Sequence, residues 1–162
     1  MELSKKIWIL HVHLHKQALF SFTMTQRFYL DTSIWRDYYE NRRDNFRPLG
    51  EWAFKLIQFF IDKEYVVLYS DMVIQELSIA YSTQKIIEIF SIISEQNLLL
   101  KVEISENQIK EAMNLANQRK ISYGDCLHAI LARDNQSTII CRDKHFLELI
   151  DLVPIKKPED LI

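Results

Sequence analysis

The feature that most constrains this chain is a regular alternation of short apolar runs with longer helical segments. Residues 65–69 read Tyr-Val-Val-Leu-Tyr, which is typical of a strand buried on both faces of a parallel sheet. Further strands are predicted at 27–34, 98–104, 137–141 and 153–156, and helical periodicity fills much of the sequence between them. This alternation predicts an α/β fold, a three-layer sandwich in which helices cover both faces of a mostly parallel central sheet.

Capping residues mark where several predicted helices begin. Ser105 and the glutamine three residues later have the spacing of a capping box, in which each side chain accepts a hydrogen bond from the other's backbone N–H. Ser122 with Asp125 repeats that spacing. Ser70, or the aspartate that follows it, is predicted to cap the helix after the second strand.

Composition indicates one folded domain. The chain has 162 residues, of which 48% are hydrophobic, enough for a single domain with its own core. The net charge of −2 gives no general attraction for nucleic acid, so such a contact needs a local basic patch or a metal ion. Cys126 and Cys141 have neither CxxC nor zinc-site spacing, and we interpret them as reduced core residues of a cytoplasmic protein.

The first 23 residues differ from the rest. His11, His13 and His15 interrupt their apolar run, which is too short and too polar for a membrane span and lacks a clean signal-peptide cleavage site. We interpret residues 1–23 as an N-terminal extension and residues 24–162 as the main domain, and expect no membrane association. The alternating histidines would share one face of a strand and could bind a metal, although a surface histidine cluster is the simpler interpretation.

Four acidic residues lie where strands pass into loops or helices. Asp31 and Asp143 follow predicted strands, whereas Glu76 and Asp125 lie near the starts of helices that could cover the same sheet edge. The carboxyl ends of parallel strands meet at one edge, and ligands of such sheets bind there. We therefore expect the four side chains to converge.

A converging set of carboxylates would repel itself without a cation. Mg²⁺ and Mn²⁺ prefer hard oxygen ligands, and such a set could hold one or two of these ions. The predicted ligands are Asp31, Glu76, Asp125 and Asp143. Thr32 or Ser33 is predicted to hydrogen-bond a ligand or a bound water. Two ions about 3.5–4 Å apart can stabilise the entering and leaving oxygens of a phosphoryl displacement, so phosphodiester hydrolysis is the predicted chemistry.

Each acid also has a purely structural explanation. Asp31 could simply end its strand, and Glu76 could be a solvated helix residue. Asp125 would complete a capping box and complement the helix dipole, and Asp143 could cap a short helix that begins at Lys144. The order and local context of the four together favour a functional site.

Around these four acids the sequence resembles the PIN domain, the ribonuclease fold of VapC-type toxins and their relatives. The matching segments are Leu-Asp-Thr-Ser at 30–33, Val-Ile-Gln-Glu-Leu at 73–77, Gly-Asp-Cys-Leu-His-Ala at 124–129 and Arg-Asp-Lys-His-Phe at 142–146. The resemblance covers roughly residue 26 to the C terminus. It implies a Mg²⁺- or Mn²⁺-dependent endonuclease acting on RNA and, in the toxin branch, a homodimer inhibited by a small antitoxin protein.

Two positions depart from the family pattern. The position two before Asp143 is often Thr or Ser in the family, and here it is Cys141, which would weaken a hydroxyl contact near the site. A proline often precedes the helix of the third acid, and Ser122 and Gly124 take its place. Neither change removes a carboxylate, so activity is still expected.

Two histidines flank the predicted ligands. His128 stands three residues after Asp125, on a similar helix face, where it could act as an acid–base group. A packing role is the favoured interpretation of His128. His145 follows Asp143 by two residues and is left without a role.

Basic and aromatic residues are interleaved after the first acid. The predicted RNA-binding residues are Arg36, Arg42 and Arg43, with Arg47 nearby. The aromatic residues among them are Tyr38, Tyr39 and Phe46. Arginines for phosphates and aromatic faces for bases would suit single-stranded RNA. The competing interpretation is a charged amphipathic helix in which neighbouring acids offset the arginines.

These observations leave two classes of function. The first is a metal-dependent endoribonuclease, either the toxin of a toxin–antitoxin pair or an RNA-processing nuclease outside such a pair. The second is a non-catalytic binding or assembly module on the same fold, using apolar helices near 52–60 and 86–93. A phosphatase with Asp31 as nucleophile is disfavoured, because Ser33 stands where a second aspartate is needed.

Overall fold

A parallel five-stranded sheet organises the structure, a computed structural model that describes residues 25–162. The strands are β1 (Arg27–Leu30), β2 (Val66–Ser70), β3 (Leu99–Val102), β4 (Thr138–Ile140) and β5 (Ile155–Lys156). Their spatial order is β3-β2-β1-β4-β5, and every neighbouring pair is parallel. The predicted α/β class with a mostly parallel sheet is confirmed, with β1 at the centre and β5 at one edge.

Helices fill the connections between these strands. The α-helices are α1 (Thr32–Glu40), α2 (Leu49–Asp62), α3 (Asp71–Ser78), α4 (Thr83–Ser94), α5 (Glu106–Arg119) and α6 (Tyr123–Asp134). Short 3₁₀ helices follow at Lys144–Leu149 and Pro158–Asp160. Each connection up to β4 contains a pair of α-helices, which is the crossover that parallel strands require.

Consecutive residues of β1 contact helices on opposite faces of the sheet. The Phe28 ring stacks on Phe60 of α2, with ring centroids 4.3 Å apart, whereas the Tyr29 hydroxyl lies 2.8 Å from a ring nitrogen of His128 in α6. Because side chains alternate along a strand, α2 and α6 cover opposite faces, which produces the predicted three layers. Phe28, Tyr29 and Leu30 are at most 1% exposed, so β1 lies at the centre of the core.

The first predicted strand ends earlier than expected. The prediction of a strand over 27–34 is wrong beyond Leu30, because Asp31 caps α1 and its carboxylate accepts a hydrogen bond from the Ser33 N–H at 3.1 Å. This helix ends at Glu40, since Asn41 adopts the left-handed conformation with φ 48°.

The predicted caps form only in part. The Ser105 capping box is complete. The Ser122 hydroxyl accepts a hydrogen bond from the Asp125 N–H at 3.1 Å, which is the first half of the second predicted box. Ser70 occupies the N-cap position of α3, but its hydroxyl lies 2.7 Å from the Tyr29 hydroxyl and makes no capping bond. Of the two predicted candidates, Ser70 thus has the N-cap position but not the side-chain hydrogen bond of a cap.

The predicted extension at residues 1–23, with its three histidines, lies outside the described residues. Within residues 25–162, none of the helices is both long and apolar enough to cross a bilayer. Cys126 and Cys141 are free and buried, in agreement with the interpretation of both as core residues.

The helices α1 and α2 approach each other closely at a glycine. A Cβ atom on Gly50 would lie 2.5 Å from the Cα atom of Asn41, nearer than such atoms come in real structures. The Gly50 N–H also donates a hydrogen bond to the Arg42 carbonyl at 2.9 Å. The close packing of α1 and α2 therefore needs glycine at position 50. The hydrogen bond from Gly50 also fixes the connecting turn that contains Arg42.

We expect Gly50→Ala to lower the free energy of unfolding by about 1–3 kcal/mol or more, the usual cost of overpacking. Equilibrium urea unfolding followed by circular dichroism measures this change. The control is Gln118→Ala at an exposed position of α5, which should change the free energy of unfolding by less than about 0.5 kcal/mol. Equal stability of the two variants would contradict the close contact.

Candidate metal centre

The register of the parallel sheet places the ends of β1 and β4 side by side. The Asp31 N–H, directly after β1, donates a hydrogen bond to the Ile140 carbonyl at the end of β4, at 3.0 Å. Asp143 follows shortly after Ile140 on the same side of the sheet edge. Two helices bring the remaining acids there, because α3 contains Glu76 and the first turn of α6 contains Asp125.

The four acids form two adjacent clusters. The inner cluster consists of Asp31, Glu76 and His128, whose ligand atoms lie within 4.8 Å of one another. The outer cluster consists of Asp125, Asp143 and His145, whose ligand atoms meet the same limit. The two clusters adjoin, because a Cβ atom on Gly124, the residue before Asp125, would lie 3.2 Å from Glu76 Oε1. Burial above all, with a smaller effect from the negative charges of Asp31 and Asp143, raises the pKa of the Asp125 carboxyl. The sheet edge thus brings all four predicted ligands together.

The Asp31 carboxylate accepts two hydrogen bonds from Ser33. Its Oδ2 atom accepts hydrogen bonds from the Ser33 N–H at 3.1 Å and from the Ser33 hydroxyl at 2.5 Å. Asp31 is 8% exposed, so these two bonds fix a nearly buried carboxylate. Both bonds engage the same oxygen, and within residues 25–162 no hydrogen bond engages Oδ1.

Glu76 accepts two hydrogen bonds on its Oε2 atom. The Thr32 hydroxyl donates one, and His128 Nε2, at 3.1 Å, donates the other. Burial raises the pKa of the Glu76 carboxyl, but the hydrogen bond and charge of His128 and the bond from Thr32 outweigh it, so that the net shift is downward. The carboxyl of Glu76 is therefore held in its charged form.

A buried chain of hydrogen bonds runs from Ser70 through Tyr29 and His128 to Glu76. His128 Nδ1 lies 2.8 Å from the Tyr29 hydroxyl, which lies 2.7 Å from the Ser70 hydroxyl. A carboxylate can only accept, so His128 Nε2 carries the proton in its bond to Glu76. His128 is 1% exposed, which agrees with the packing role favoured from the sequence. Its bond to Glu76 was not predicted, because the two residues are distant in sequence.

Glycine next to Asp125 permits α6 to approach Glu76. A Cβ atom on Gly124 would lie 3.0 Å from the Met72 methyl group and 3.2 Å from Glu76 Oε1. Both distances are tighter than ordinary Cβ contacts. Gly124 therefore allows the first turn of α6, with Asp125, to lie directly against the inner cluster.

The outer cluster is more accessible. Asp143 is exposed and caps the following 3₁₀ helix, as the sequence suggested, since its Oδ1 atom accepts a hydrogen bond from the His145 N–H at 2.9 Å. The His145 ring, 71% exposed, places Nδ1 3.3 Å from the same oxygen. His145, which had no predicted role, thus lies beside a predicted ligand. Capping and membership of the cluster are compatible for Asp143.

Cys141 lies among the acids and is 2% exposed. Burial, followed by the negative charges of Asp31, Asp125 and Asp143, raises the pKa of its thiol. The thiol is therefore neutral at physiological pH. The family's usual hydroxyl is replaced by a small, weakly polar group that adds no charge to the centre.

The predicted RNA-binding arginines are paired with carboxylates. Arg36 pairs with Glu40 at 3.2 Å, and Arg42 with Asp37 at 3.3 Å. Arg43, 69% exposed at its side chain, lies 3.6 Å from a carboxylate of α2. Tyr38 and Tyr39 pack against other aromatic rings. Most of this segment therefore matches the competing interpretation of a charged amphipathic helix.

A family model described as the PIN domain matches residues 28–151. This match spans well over half of the sequence, and the chain belongs to the PIN domain family. Its position includes all four acids of the two clusters. A search of the curated proteins finds no match to this sequence.

Several solved structures share the fold. A chain of VapBC2 from Rickettsia felis, bound to a DNA fragment from the promoter, aligns with a TM-score of 0.57 and 16% identity, over 82% of this chain and 98% of that chain. A chain of a toxin–antitoxin complex from Klebsiella pneumoniae gives 0.55 and 15%, over 80% and 96%. A chain of FitAcB from Neisseria gonorrhoeae gives 0.53 and 15%, over 83% and 99%. Likeness at this level of identity establishes the three-layer fold.

We expect Tyr29→Phe to lower the free energy of unfolding by about 1–3 kcal/mol. The reason is that the buried Ser70 hydroxyl and His128 Nδ1 both lose their hydrogen-bond partner when the Tyr29 hydroxyl is removed. Urea unfolding measures this loss. Tyr65→Phe is the matched control, since Tyr65 lies in the same aromatic group around Phe28 and Phe60. The control is expected to change the free energy of unfolding by less than about 0.5 kcal/mol. Comparable losses in both variants would contradict a special role of the buried chain.

Proposed function

We propose that this chain is a Mg²⁺- or Mn²⁺-dependent endoribonuclease and the toxin of a toxin–antitoxin pair. The observation that carries the proposal is the convergence of four carboxylates in two adjacent clusters at the carboxyl edge of the sheet. The proposed catalytic and metal-binding residues are Asp31, Glu76, Asp125 and Asp143. We further propose that residues 24–162 form the nuclease domain.

The donor set suits a hard divalent cation. Carboxylate oxygens are the preferred ligands of Mg²⁺ and Mn²⁺, and the clusters contain few softer donors. Burial is the main reason that the pKa of Asp125 is raised, and the negative charges of Asp31 and Asp143 add to it. Positive charge near these carboxylates would relieve the added repulsion. One or two ions, when bound, would activate a water molecule and offset the charge that develops on the phosphate.

The surrounding residues would prepare the ligands for that task. Thr32 and His128 keep Glu76 deprotonated, and Ser33 orients Asp31 through two hydrogen bonds. Both hydroxyls are thus proposed as supporting residues, each for a different acid. His128 has both ring nitrogens engaged within the protein, so its proposed role is to position Glu76.

RNA is the proposed substrate, and the arginines of the first helix and the following turn are proposed to contact it. Arg36, Arg42 and Arg43 lie in or after α1, whose first turn contains the Ser33 that orients Asp31. Their pairing with acids lowers the positive potential but leaves donors available at the surface. Such residues would hold the phosphates of a strand that passes over the clusters.

Asp31→Asn and Asp125→Asn are each expected to lower Mn²⁺-dependent cleavage of single-stranded RNA by at least about a hundredfold, because each removes a charged ligand. Cleavage is followed on labelled RNA in denaturing gels, with circular dichroism to show that the fold is intact. Asp62→Asn, an exposed acid at the end of α2, is the control and should retain activity within about twofold. Undiminished cleavage by both ligand variants would refute the metal centre.

Titration calorimetry with Mn²⁺ separates the enzyme from a non-catalytic module on the same fold. The wild-type chain is expected to bind Mn²⁺, and Asp31→Asn to bind it more weakly. If the wild-type chain shows no binding at millimolar Mn²⁺, the module is the better description.

The toxin assignment draws on the structural neighbours, two of which are described as VapBC2 and as a toxin–antitoxin complex. We expect expression of this chain alone to arrest growth of the host cell, and Asp31→Asn to relieve the arrest. Co-expression of the small protein encoded by a neighbouring reading frame should restore growth, and that protein should purify together with this chain. In a separate measurement, light scattering of the purified chain should give the mass of a homodimer. Active RNA cleavage without growth arrest would favour an RNA-processing nuclease, which would also act in the cytoplasm.

A further inference from the structure

We propose that the turn between α1 and α2 and the cavity beside it form a binding site for one nucleotide of single-stranded RNA. The base would stack on Phe46, and its phosphate would enter the cavity. This site rests on the proposed ribonuclease function and adds to it a place for a nucleotide that flanks the cleaved bond. It lies outside both acid clusters.

Phe46 extends into solvent from a short turn that is closed by backbone hydrogen bonds. The side chain is fully exposed, and Asn45 before it adopts the left-handed conformation with φ 52°. Asp44 and Arg47 bracket the turn with two backbone hydrogen bonds, of 3.1 and 2.9 Å, and their side chains form an ion pair. An exposed phenylalanine on a fixed turn offers both faces of its ring, and a nucleobase can stack on one of them.

The cavity beside this turn is lined by cationic groups. It has a volume of about 220 Å³, which is ample for a phosphate group. The cationic residues that line it are Arg42, Arg47, Arg142 and Lys157. Three carboxylates also line it, so the formal charge of the lining is +1. Lys157 is exposed and pairs with no carboxylate among the described residues, which leaves its charge available to a ligand.

A buried carboxylate fixes two of these cations. Asp37 is 1% exposed and accepts a hydrogen bond from Arg142 Nε at 2.7 Å, while Arg42 lies 3.3 Å from its other oxygen. The Arg142 guanidinium also lies over the Trp52 ring, 5.5 Å from its centroid. Its Nη2 atom is buried and lacks a hydrogen-bond partner among residues 25–162. Arg142 thus lines the cavity as a guanidinium that Asp37 and Trp52 already hold in place.

The position of the cavity connects it to the proposed cleavage centre. Ser33 lines the cavity and also donates two hydrogen bonds to Asp31. Arg142 lines it as well and directly precedes Asp143. A nucleotide bound here would therefore lie next to the two acid clusters, as expected for a neighbour of the cleaved phosphodiester.

The chemistry of the turn favours RNA over a protein partner. Phe46 is flanked by polar and charged residues, and no second large apolar residue lies in the turn from 41 to 47. Protein interfaces place aromatic anchors within larger apolar patches. A lone ring beside cations is the usual arrangement of surfaces that bind single-stranded nucleic acid.

The experiment measures binding of fluorescein-labelled single-stranded RNA by anisotropy, in the full chain with Asp31→Asn so that binding is separated from cleavage. Phe46→Ala is expected to weaken binding about 5- to 100-fold, the effect of losing one stacked base. Phe46→Trp should retain affinity, and its added fluorescence should be quenched by RNA.

Lys157→Gln should reduce the slope of log affinity against log salt by about 0.7, the effect of one lost phosphate contact.

Matched controls separate this site from general effects. Ile79→Ala removes a side chain that is 88% exposed and does not line the cavity, and Lys110→Gln removes an exposed charge from α5; neither is expected to alter binding. Unchanged RNA affinity in Phe46→Ala would overturn the proposal and direct attention to a protein partner for Phe46. If Phe46→Ala loses affinity while the wild-type chain does not cleave RNA with Mn²⁺, the nucleotide site stands and the nuclease proposal fails.

Discussion

The parallel pairing of β1 with both β2 and β4 is the constraint on which the rest of the structure depends. It places β1 in the middle of the sheet, with its carboxyl end beside that of β4, where the Asp31 N–H bonds to the Ile140 carbonyl at 3.0 Å. If β1 and β4 were antiparallel, the carboxyl ends of the two strands, with Asp31 and Ile140, would lie at opposite edges of the sheet. The crossover helices then bring Glu76 and Asp125 to this edge, so the backbone arrangement alone assembles most of the acidic centre.

A buried chain of hydrogen bonds keeps one of these acids, Glu76, in its ionised form. Ser70 and Tyr29 support His128 from the strands beneath it, and His128 with Thr32 keeps Glu76 ionised. Asp125 experiences the opposite influence, because burial and neighbouring charge raise its pKa. The centre thus contains carboxyl groups with opposing pKa shifts, a pattern common at functional sites.

Several local features could be predicted from the sequence because their causes are local. The apolar run of β2, the complete Ser105 capping box and the capping of a 3₁₀ helix by Asp143 depend on residues a few positions apart. One prediction failed because a distant partner intervened, and another because a local cap was missed. Ser70 has the position of a cap, yet its hydroxyl faces Tyr29, 41 residues away. The strand predicted through residue 34 ends at Leu30, because the Asp31 cap outweighs the apolar pattern.

The sequence by itself determined the α/β class and the identity of the four acids, since hydrophobic periodicity and strand-end positions are properties of neighbouring residues. Only the tertiary structure decided how those acids divide into two clusters, that His128 supports Glu76, and that the Phe46 turn lies beside a cavity lined by Arg142 and Lys157. These relations join residues that are far apart in the chain. Their distances are set by strand register and helix packing, neither of which a local sequence pattern specifies.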